Sequence, residues 1–248
     1  MAITPFVTGD ALTQARLAQL VNEITSLTDK RPAAANAEDD EFDGISPGAA
    51  WSLYNAGSNL TVSLNKSRLI LSLAQAESAS AMRGIMRATP AAGAWRYEIT
   101  GMRNTIWFGG QIGLAVRKAG GTAPNVANVT TDKTSYLCIV GGQAPTLYVQ
   151  RWTNANTYNT YDKGGLQANG LAAQINGFAI AFDGTDTLHF YYTCDNGASW
   201  TSLGTVSATT VCGGAPDSIG LVIDAAAGQN TYNDGGFVMS VEAFRRVA

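Results

Sequence analysis

From Trp51 onward the chain consists of short segments in which apolar and polar residues alternate, separated by Gly, Asn, Asp and Pro. Alternation with a period of two is typical of β-strands that bury one face. We count about a dozen such segments, and no helical pattern interrupts them. The clearest are Leu69–Leu73, Trp95–Ile99, Ile112–Val116, Leu147–Val149, Phe178–Phe182, Leu188–Tyr192 and Phe237–Val241.

Strands that follow one another without helices pair antiparallel, so the pattern predicts an all-β, two-sheet antiparallel jelly-roll sandwich over residues 39–248. Asp183–Thr185 and Asp195–Gly197 carry the Asp-Gly and Asn-Gly signals of hairpin turns. The segment 151–165 is rich in Asn, Thr and Tyr without clean alternation. It is either a long surface loop or an irregular pair of strands.

The charge of the chain argues against nucleic-acid binding, because 16 Lys and Arg residues with a net charge of -3 provide no basic surface for phosphates. We find no basic leader followed by an apolar stretch, and no long apolar run. The sequence therefore predicts neither a signal peptide nor insertion into a membrane. We expect the protein to be made in the cytoplasm.

An amphipathic helix is predicted near the N-terminus, between Asp10 and Leu27. Its apolar stripe consists of Leu17, Leu20, Val21, Ile24 and Leu27. A stripe of about two heptads is too short to be stable alone, so it needs a partner. The partner is a copy of the helix, a host protein or the sandwich, and we favour a homotrimer. Residues 1–28 then form an attachment or trimerisation segment, and 29–38 have the composition of a linker.

Three segments resemble the concanavalin A-like jelly-roll domains of lectins and glucanases. The first is Asp39-Asp40-Glu41-Phe42-Asp43-Gly44 followed by Trp51. The second runs from Phe182-Asp183-Gly184 to Trp200, and the third from Ser218-Ile219-Gly220-Leu221 to the C-terminus. They occur in the family's order. The resemblance implies the jelly-roll fold for residues 39–248.

The N-terminal 35 or so residues loosely resemble those of bacteriophage fibre, spike and head-decoration proteins, in that Ile3–Thr13 precedes an amphipathic helix and a linker. The resemblance implies a trimeric virion protein, docked on capsid or tail proteins, whose sandwich either binds glycans of the host surface or protects the particle. Our first hypothesis is such a non-enzymatic structural protein, located on the virion. A free carbohydrate-binding lectin and a glycosidase with an atypical site are the alternatives.

The prediction that the chain is not an enzyme depends on its carboxylates. Retaining glycosidases need two carboxyl groups about 5 Å apart, which alternate positions on one strand provide. No Glu-x-Asp-x-x-Glu run occurs on a predicted interior strand, and Glu98 and Glu242 are isolated. His189, the only histidine, has no accompanying nucleophile motif. We expect it on the strand face opposite Leu188 and Phe190.

Carbohydrate binding requires aromatic platforms beside amide, hydroxyl or carboxylate groups. Both occur between residues 152 and 162. A second candidate platform is Trp107, which is followed by Phe108-Gly109-Gly110. The candidate ligand-binding residues are Trp152, Asn154, Asn156, Tyr158, Tyr161, Asp162 and Trp107. The alternative is that these aromatic side chains fill the sandwich core or a trimer interface.

No cofactor is predicted apart from a weak calcium candidate. Asp39, Asp40 and Asp43 form a dense run of the oxygen ligands that Ca²⁺ prefers. The alternative is a solvated start to the first strand. The cysteines Cys138, Cys194 and Cys212 have neither zinc nor disulfide spacing, and we expect buried free thiols.

Overall fold

The computed structural model describes residues 39–57, 59–73, 81–105, 110–119, 133–140, 146–167, 174–225 and 237–247. All of them belong to the unit Asn36–Ala248. The predicted N-terminal helix with Leu17, Leu20, Val21, Ile24 and Leu27, the linker 29–38 and the candidate Trp107 lie outside the described residues.

The described part of the chain contains sixteen strands and one short helix. In chain order they are β1 (Ser52–Tyr54), β2 (Leu60–Leu64), β3 (Leu69–Leu73), β4 (Arg83–Ala88), β5 (Trp95–Thr100), β6 (Arg103–Thr105), β7 (Gly110–Lys118), β8 (Lys133–Val140), β9 (Thr146–Asn154), β10 (Thr157–Gln167), β11 (Gly177–Phe182), β12 (Thr187–Thr193), β13 (Thr201–Ser207), α1 (Ala208–Cys212), β14 (Ser218–Ala225), β15 (Phe237–Val241) and β16 (Ala243–Arg246).

The strands form three antiparallel sheets. A seven-stranded sheet has the order β1-β4-β14-β7-β8-β9-β10, and the other two have the orders β13-β12-β11-β5-β16 and β2-β3-β15-β6. Strands pass directly between the two smaller sheets, because β6 follows β5 at Gly101 and β16 follows β15 at Glu242. Gly101 has a φ of 64°, and a Cβ there would overlap the Glu242 side chain. The bend between β5 and β6 therefore requires a glycine at position 101.

The main core lies between the seven-stranded sheet and the two smaller sheets. Alternate residues of β14, namely Ile219, Leu221 and Ile223, are fully buried in it. Phe178 and Ile180 of β11 belong to the same cluster. Each fully buried aliphatic or aromatic side chain contributes about 1.5–3 kcal/mol of transfer free energy. The apolar residues that alternate in the sequence are thus the residues that these strands bury in the core.

The predicted all-β sandwich is confirmed, and so are its two turns. In the β11–β12 turn the Asp183 carboxylate accepts hydrogen bonds from the backbone N–H groups of Thr185, Asp186 and Thr187. After β12, Asn196 and Gly197 have φ values of 58° and 90°, as their turn requires. The segment 151–165 is the irregular strand pair of the two alternatives, since β10 pairs with β9 through several register shifts.

The thiols only partly match the prediction. The Cys212 thiol is buried in α1, whereas Cys194 is free but exposed in the turn after β12. Cys194 lies beyond the last inward-facing residues of β12, so the expectation that it is buried is wrong.

Two glycines set how closely β4 and β14 approach in the seven-stranded sheet. A Cβ on Gly220 would overlap the carbonyl oxygen of Ile85, and one on Gly84 would overlap that of Leu221. Both obstacles are backbone atoms, which cannot move without disturbing the hydrogen bonds between the strands. The pairing of β4 with β14 therefore depends on glycine, which has no side chain, at both positions.

We predict that Gly220→Ala lowers the free energy of unfolding by about 1–3 kcal/mol, the usual cost of overpacking. Urea denaturation measures the effect. Gly48→Ala is the matched control, because Gly48 is exposed and its Cβ would meet only the Asp40 carboxylate at 3.6 Å. Equal stabilities of the two variants would contradict the close approach of β4 and β14.

Candidate functional site

The outer face of the seven-stranded sheet is the face turned away from the main core. Side chains alternate along each strand, so the neighbours of the inward-facing residues point outward. On β14 the outward residues include Ser218, Val222 and Asp224, and on β7 they include Ala115 and Arg117. Across the sheet, Arg117 pairs with Thr134 of β8, Thr134 with Trp152 of β9, and Trp152 with Tyr158 of β10.

A second apolar cluster fills much of this outer face. It consists of Tyr54, Met82, Met86, Ala115, Trp152, Ala155 and Val222, with Tyr148 packed against it. Its members come from both ends of the strand order, from β1 and β4 on one side and from β9 on the other. A flat sheet would hold these strands far apart. The sheet must therefore curl over its own outer face.

Hydrogen bonds join opposite corners of the curled sheet. The N–H of Met82, just before β4, donates to the carbonyl oxygen of Ala155 in the β9–β10 turn at 2.8 Å. The Asn55 side-chain amide, just after β1, donates to Met82 O and to Asn156 Oδ1, each at 3.0 Å. Asn55 has a φ of 47°, a conformation that Asn tolerates better than most residues. We call this set of contacts the corner closure.

A cation–π contact crosses the same face. The Arg117 guanidinium on β7 lies 5.0 Å from the centroid of the Tyr54 ring on β1. Both side chains are almost completely buried. Such contacts are stronger when water is excluded. Arg117 and Tyr54 thus support the corner closure from within the sheet.

Trp152 is part of this second cluster and is only 1% exposed. Its indole N–H donates to Gln150 Oε1 at 3.0 Å. Gln150 Nε2 and the Thr134 hydroxyl, both buried nearby, have no hydrogen-bond partner among the residues that the structure describes. Ordered water normally satisfies such groups. Trp152 is therefore a structural residue, and its ring offers no face to a bound sugar.

Exposed aromatic rings continue from Trp152 along β9 and β10. Tyr158 packs edge-on against Trp152 with a centroid distance of 6.1 Å, and Tyr161 follows at 5.2 Å from Tyr158. Tyr161 in turn stacks on Tyr148 at 4.1 Å. Tyr158 is 38% exposed and Tyr161 48%. We call Tyr148, Tyr158 and Tyr161 the tyrosine ladder.

Gly164 makes the stacking of the ladder feasible. It pairs with Tyr148 across β10 and β9, within the irregular part of the register. Its φ is 108°, and a Cβ would overlap the Leu147 carbonyl oxygen. β10 can thus bulge at this position and bring Tyr161 over the Tyr148 ring.

The predicted polar ligands form hydrogen bonds and an ion pair with other residues of the protein. Asn154 Oδ1 accepts from the Asn156 backbone N–H at 2.9 Å, and Asn156 Oδ1 takes part in the corner closure. The Asp162 carboxylate pairs with Arg151 at 2.6 Å. Of the residues predicted between 152 and 162, the structure leaves Tyr158 and Tyr161 accessible as platform rings.

The calcium candidates at the start of the domain form hydrogen bonds with the protein. Asp40 accepts from the Phe42 backbone N–H and from Trp51 Nε1, both at 2.8 Å. Asp39 accepts from the Arg246 backbone N–H at 2.7 Å, and Asp43 is exposed. Within the described ranges no group of three or more His, Cys, Asp or Glu side chains could hold a metal ion.

His189 lies on the outer face of the five-stranded sheet, opposite Leu188 and Phe190 as predicted. Its ring stacks on Tyr191, whose ring in turn lies under the Arg96 guanidinium at 4.5 Å. Glu98 pairs with Arg96 at 2.7 Å. Burial raises the pKa of the Glu98 carboxyl, although the charge and hydrogen bond of Arg96 oppose the shift. These groups lie on the five-stranded sheet, whereas the tyrosine ladder lies on the seven-stranded sheet.

Asp224 is a carboxylate that the sequence analysis missed. It lies on the outer face because it is two residues after Val222 on β14, and its side chain is fully buried. Oδ1 accepts from the Ala81 backbone N–H at 2.8 Å, and Gln111 is its register partner on β7. The sequence search required two carboxylates on one strand. A single Asp at the end of an apolar strand carries no such signal.

Three solved structures show how this fold is used elsewhere. A mutant of the GH43 protein BlXynB from Bacillus licheniformis has a TM-score of 0.58 at 12% identity, with 88% of this chain and 40% of that chain covered. A β-glucanase from the same organism has a TM-score of 0.54 at 14% identity, with 85% and 97% covered. The catalytic domain of an endo-1,3-β-glucanase from Thermotoga petrophila scores 0.51 at 10% identity, with 84% and 95% covered.

No family model matches the chain, and no curated protein sequence matches it. The structural matches agree with the resemblance to concanavalin A-like jelly-roll domains. At identities of 10–14% they show the fold alone. None of the three is a virion protein, so they give the resemblance to phage proteins no support.

The prediction that the chain is not an enzyme is contradicted by these neighbours, most of which are glycoside hydrolases. The carboxylate argument behind it was too narrow. Catalytic carboxylates can come from neighbouring strands, which the sheet register brings together, and Asp224 shows that an outer-face carboxylate can lack the expected pattern.

Among the described residues, no helix is long and apolar enough to cross a membrane.

We predict that Trp152→Ala lowers the free energy of unfolding by about 3–5 kcal/mol, as expected for a large aromatic core residue. Tyr161→Ala should cost far less, because its ring is about half exposed. Chemical denaturation of both variants measures the difference. If Trp152→Ala were as stable as Tyr161→Ala, Trp152 would not belong to a core.

Proposed function

We propose that the protein binds carbohydrate through the tyrosine ladder on the β9–β10 edge of the outer face. The observation that carries the proposal is the run of rings in mutual contact in which Tyr158 and Tyr161 remain 38% and 48% exposed. Aromatic rings expose a rigid apolar face, which suits the C–H face of a sugar at a low entropic cost.

Two further features support carbohydrate binding at the ladder. The ladder lies on the outer face of the larger sheet in a fold that several glycoside hydrolases share. The second cluster and the Trp152–Gln150 hydrogen bond hold its base, so the rings are positioned before a ligand arrives. Such preorganisation reduces the cost of binding.

We predict that Tyr161→Ala weakens binding about tenfold, equivalent to the loss of about 1.4 kcal/mol. A glycan array identifies the ligand, and isothermal titration calorimetry measures the change. Leu53→Ala is the matched control, since Leu53 is 57% exposed on β1 and outside the ladder. A flat array with the wild-type chain, or equal affinities of the two variants, would contradict the proposal.

A second candidate function, glycoside hydrolysis, is favoured by one specific observation. Asp224 places a fully buried carboxylate on the same face as the ladder. A carboxyl group can serve as the acid, base or nucleophile of glycoside hydrolysis. We therefore include hydrolysis of the bound glycan, with Asp224 as one participating group, as a proposal.

We predict that Asp224→Asn abolishes any release of reducing sugar from β-1,3-glucan or β-1,3-1,4-glucan. Glu98→Gln is the matched control, because Glu98 is a partly buried carboxylate on the opposite layer and should leave the release unchanged. Detection of reducing ends measures both. Release that survives in Asp224→Asn, or no release by the wild-type chain, would contradict the role of Asp224.

We also propose that the chain assembles as a homotrimer through Leu17, Leu20, Val21, Ile24 and Leu27, and that it is attached to a virion through its N-terminal segment. The support is the apolar stripe of the sequence. We predict that size-exclusion chromatography with light scattering gives a trimer for the full chain and a monomer after deletion of residues 1–30. A monomeric full chain at micromolar concentration would contradict the trimer.

A further inference from the structure

The tyrosine ladder is bounded at one end by the corner closure. Tyr158, its first ring, packs against Trp152, which belongs to the second cluster. The turn residues Ala155 and Asn156, which contact Met82 and Asn55, are separated from Tyr158 in the chain by Thr157 alone. At the other end, Tyr148 and Tyr161 stack farther along β9 and β10.

The corner closure also interrupts the outer face of the sheet. Tyr54, Met86 and Val222 occupy the space above the middle strands, and all three are buried. Arg117 fills the region beside them, over the Tyr54 ring. A long glycan could lie across all seven strands only if this cluster were absent.

We infer that the ladder recognises the end of a glycan chain and not an internal segment. This inference rests on the proposed function. A sugar chain that lies along the ladder runs parallel to β9 and β10. It meets the docked turn at Tyr158, so its terminal residue stops there while the rest of the chain extends past Tyr148. The turn then acts as a steric stop, and its position, which the corner closure fixes, determines the specificity.

The contacts of the turn explain why it would hold against a ligand. The Met82–Ala155 bond is made by backbone groups, and the Asn55 amide adds two more hydrogen bonds. Ala155 is fully buried as part of the second cluster. Displacing the turn would expose this apolar contact and leave buried polar groups unsatisfied, which is costly.

A competition assay with linear oligosaccharides and polymers tests the inference. The probes are β-1,3-glucan, β-1,4-glucan, β-1,4-xylan and α-1,4-glucan, each as a series of short oligosaccharides and as the soluble polymer. Recognition of chain ends predicts equal inhibition when the concentration is counted in chains. Recognition of internal segments predicts equal inhibition when it is counted in sugar residues, so that a polymer is better per chain in proportion to its length.

The double variant Asn55→Ala/Asn156→Ala removes the side-chain part of the closure and leaves the ladder intact. We expect its preference for the polymer over the shortest oligosaccharides, compared per chain, to be about tenfold higher than that of the wild-type protein. Thermal unfolding checks that the variant is folded; if it is not, the wild-type comparison alone decides.

The outcomes separate the two proposals. Failure of every probe to bind, together with a flat glycan array, would overturn carbohydrate binding itself. Binding of any probe that scales with sugar residues would overturn chain-end recognition and leave carbohydrate binding in place. Binding that scales with chains would support both.

Discussion

The hydrogen bonds between the β9–β10 turn and the start of β4 determine the form of the outer face. The Met82 N–H lies just before β4 and the Ala155 carbonyl oxygen lies in the β9–β10 turn. These strands are several positions apart in the sheet, yet the two groups form a hydrogen bond of 2.8 Å. Because this contact curls the sheet, the outer face acquires a second core. Trp152 is buried as a result, and Tyr158 and Tyr161 remain at its border as accessible rings.

Two glycines lie where β4 and β14, the second and third strands of the sheet, approach each other closely. Twist accumulates from strand to strand, and closely approaching strands can coil more strongly than those with bulky outward side chains. Gly84 and Gly220 face each other's strands at this point, where a Cβ on either would overlap backbone. Their small size allows β4 and β14 to approach closely, and the cation–π contact of Arg117 with Tyr54 lies on the same outer face.

Local patterns in the sequence were sufficient for the strands, the hairpin turns and the sandwich, because each depends on neighbours within a few residues. The position of Tyr158 and Tyr161 in an irregular strand pair was also within reach. The corner closure was not, since Asn55 and Asn156 are 101 residues apart and neither has a distinctive neighbourhood. For the same reason the sequence could not distinguish Trp152 as a core residue from Trp152 as a platform, nor place Asp224 on the ladder's face.

Hydrogen exchange at the Met82 amide tests the corner closure most directly, because that amide lies just outside β4 and its bond to Ala155 exists only when the corners meet. The account predicts that Met82 exchanges as slowly as the amides inside β4, and that its protection is lost only when the sheet opens. Exchange as fast as that of an exposed turn amide would show that the corners do not meet, and would contradict the account of the outer face.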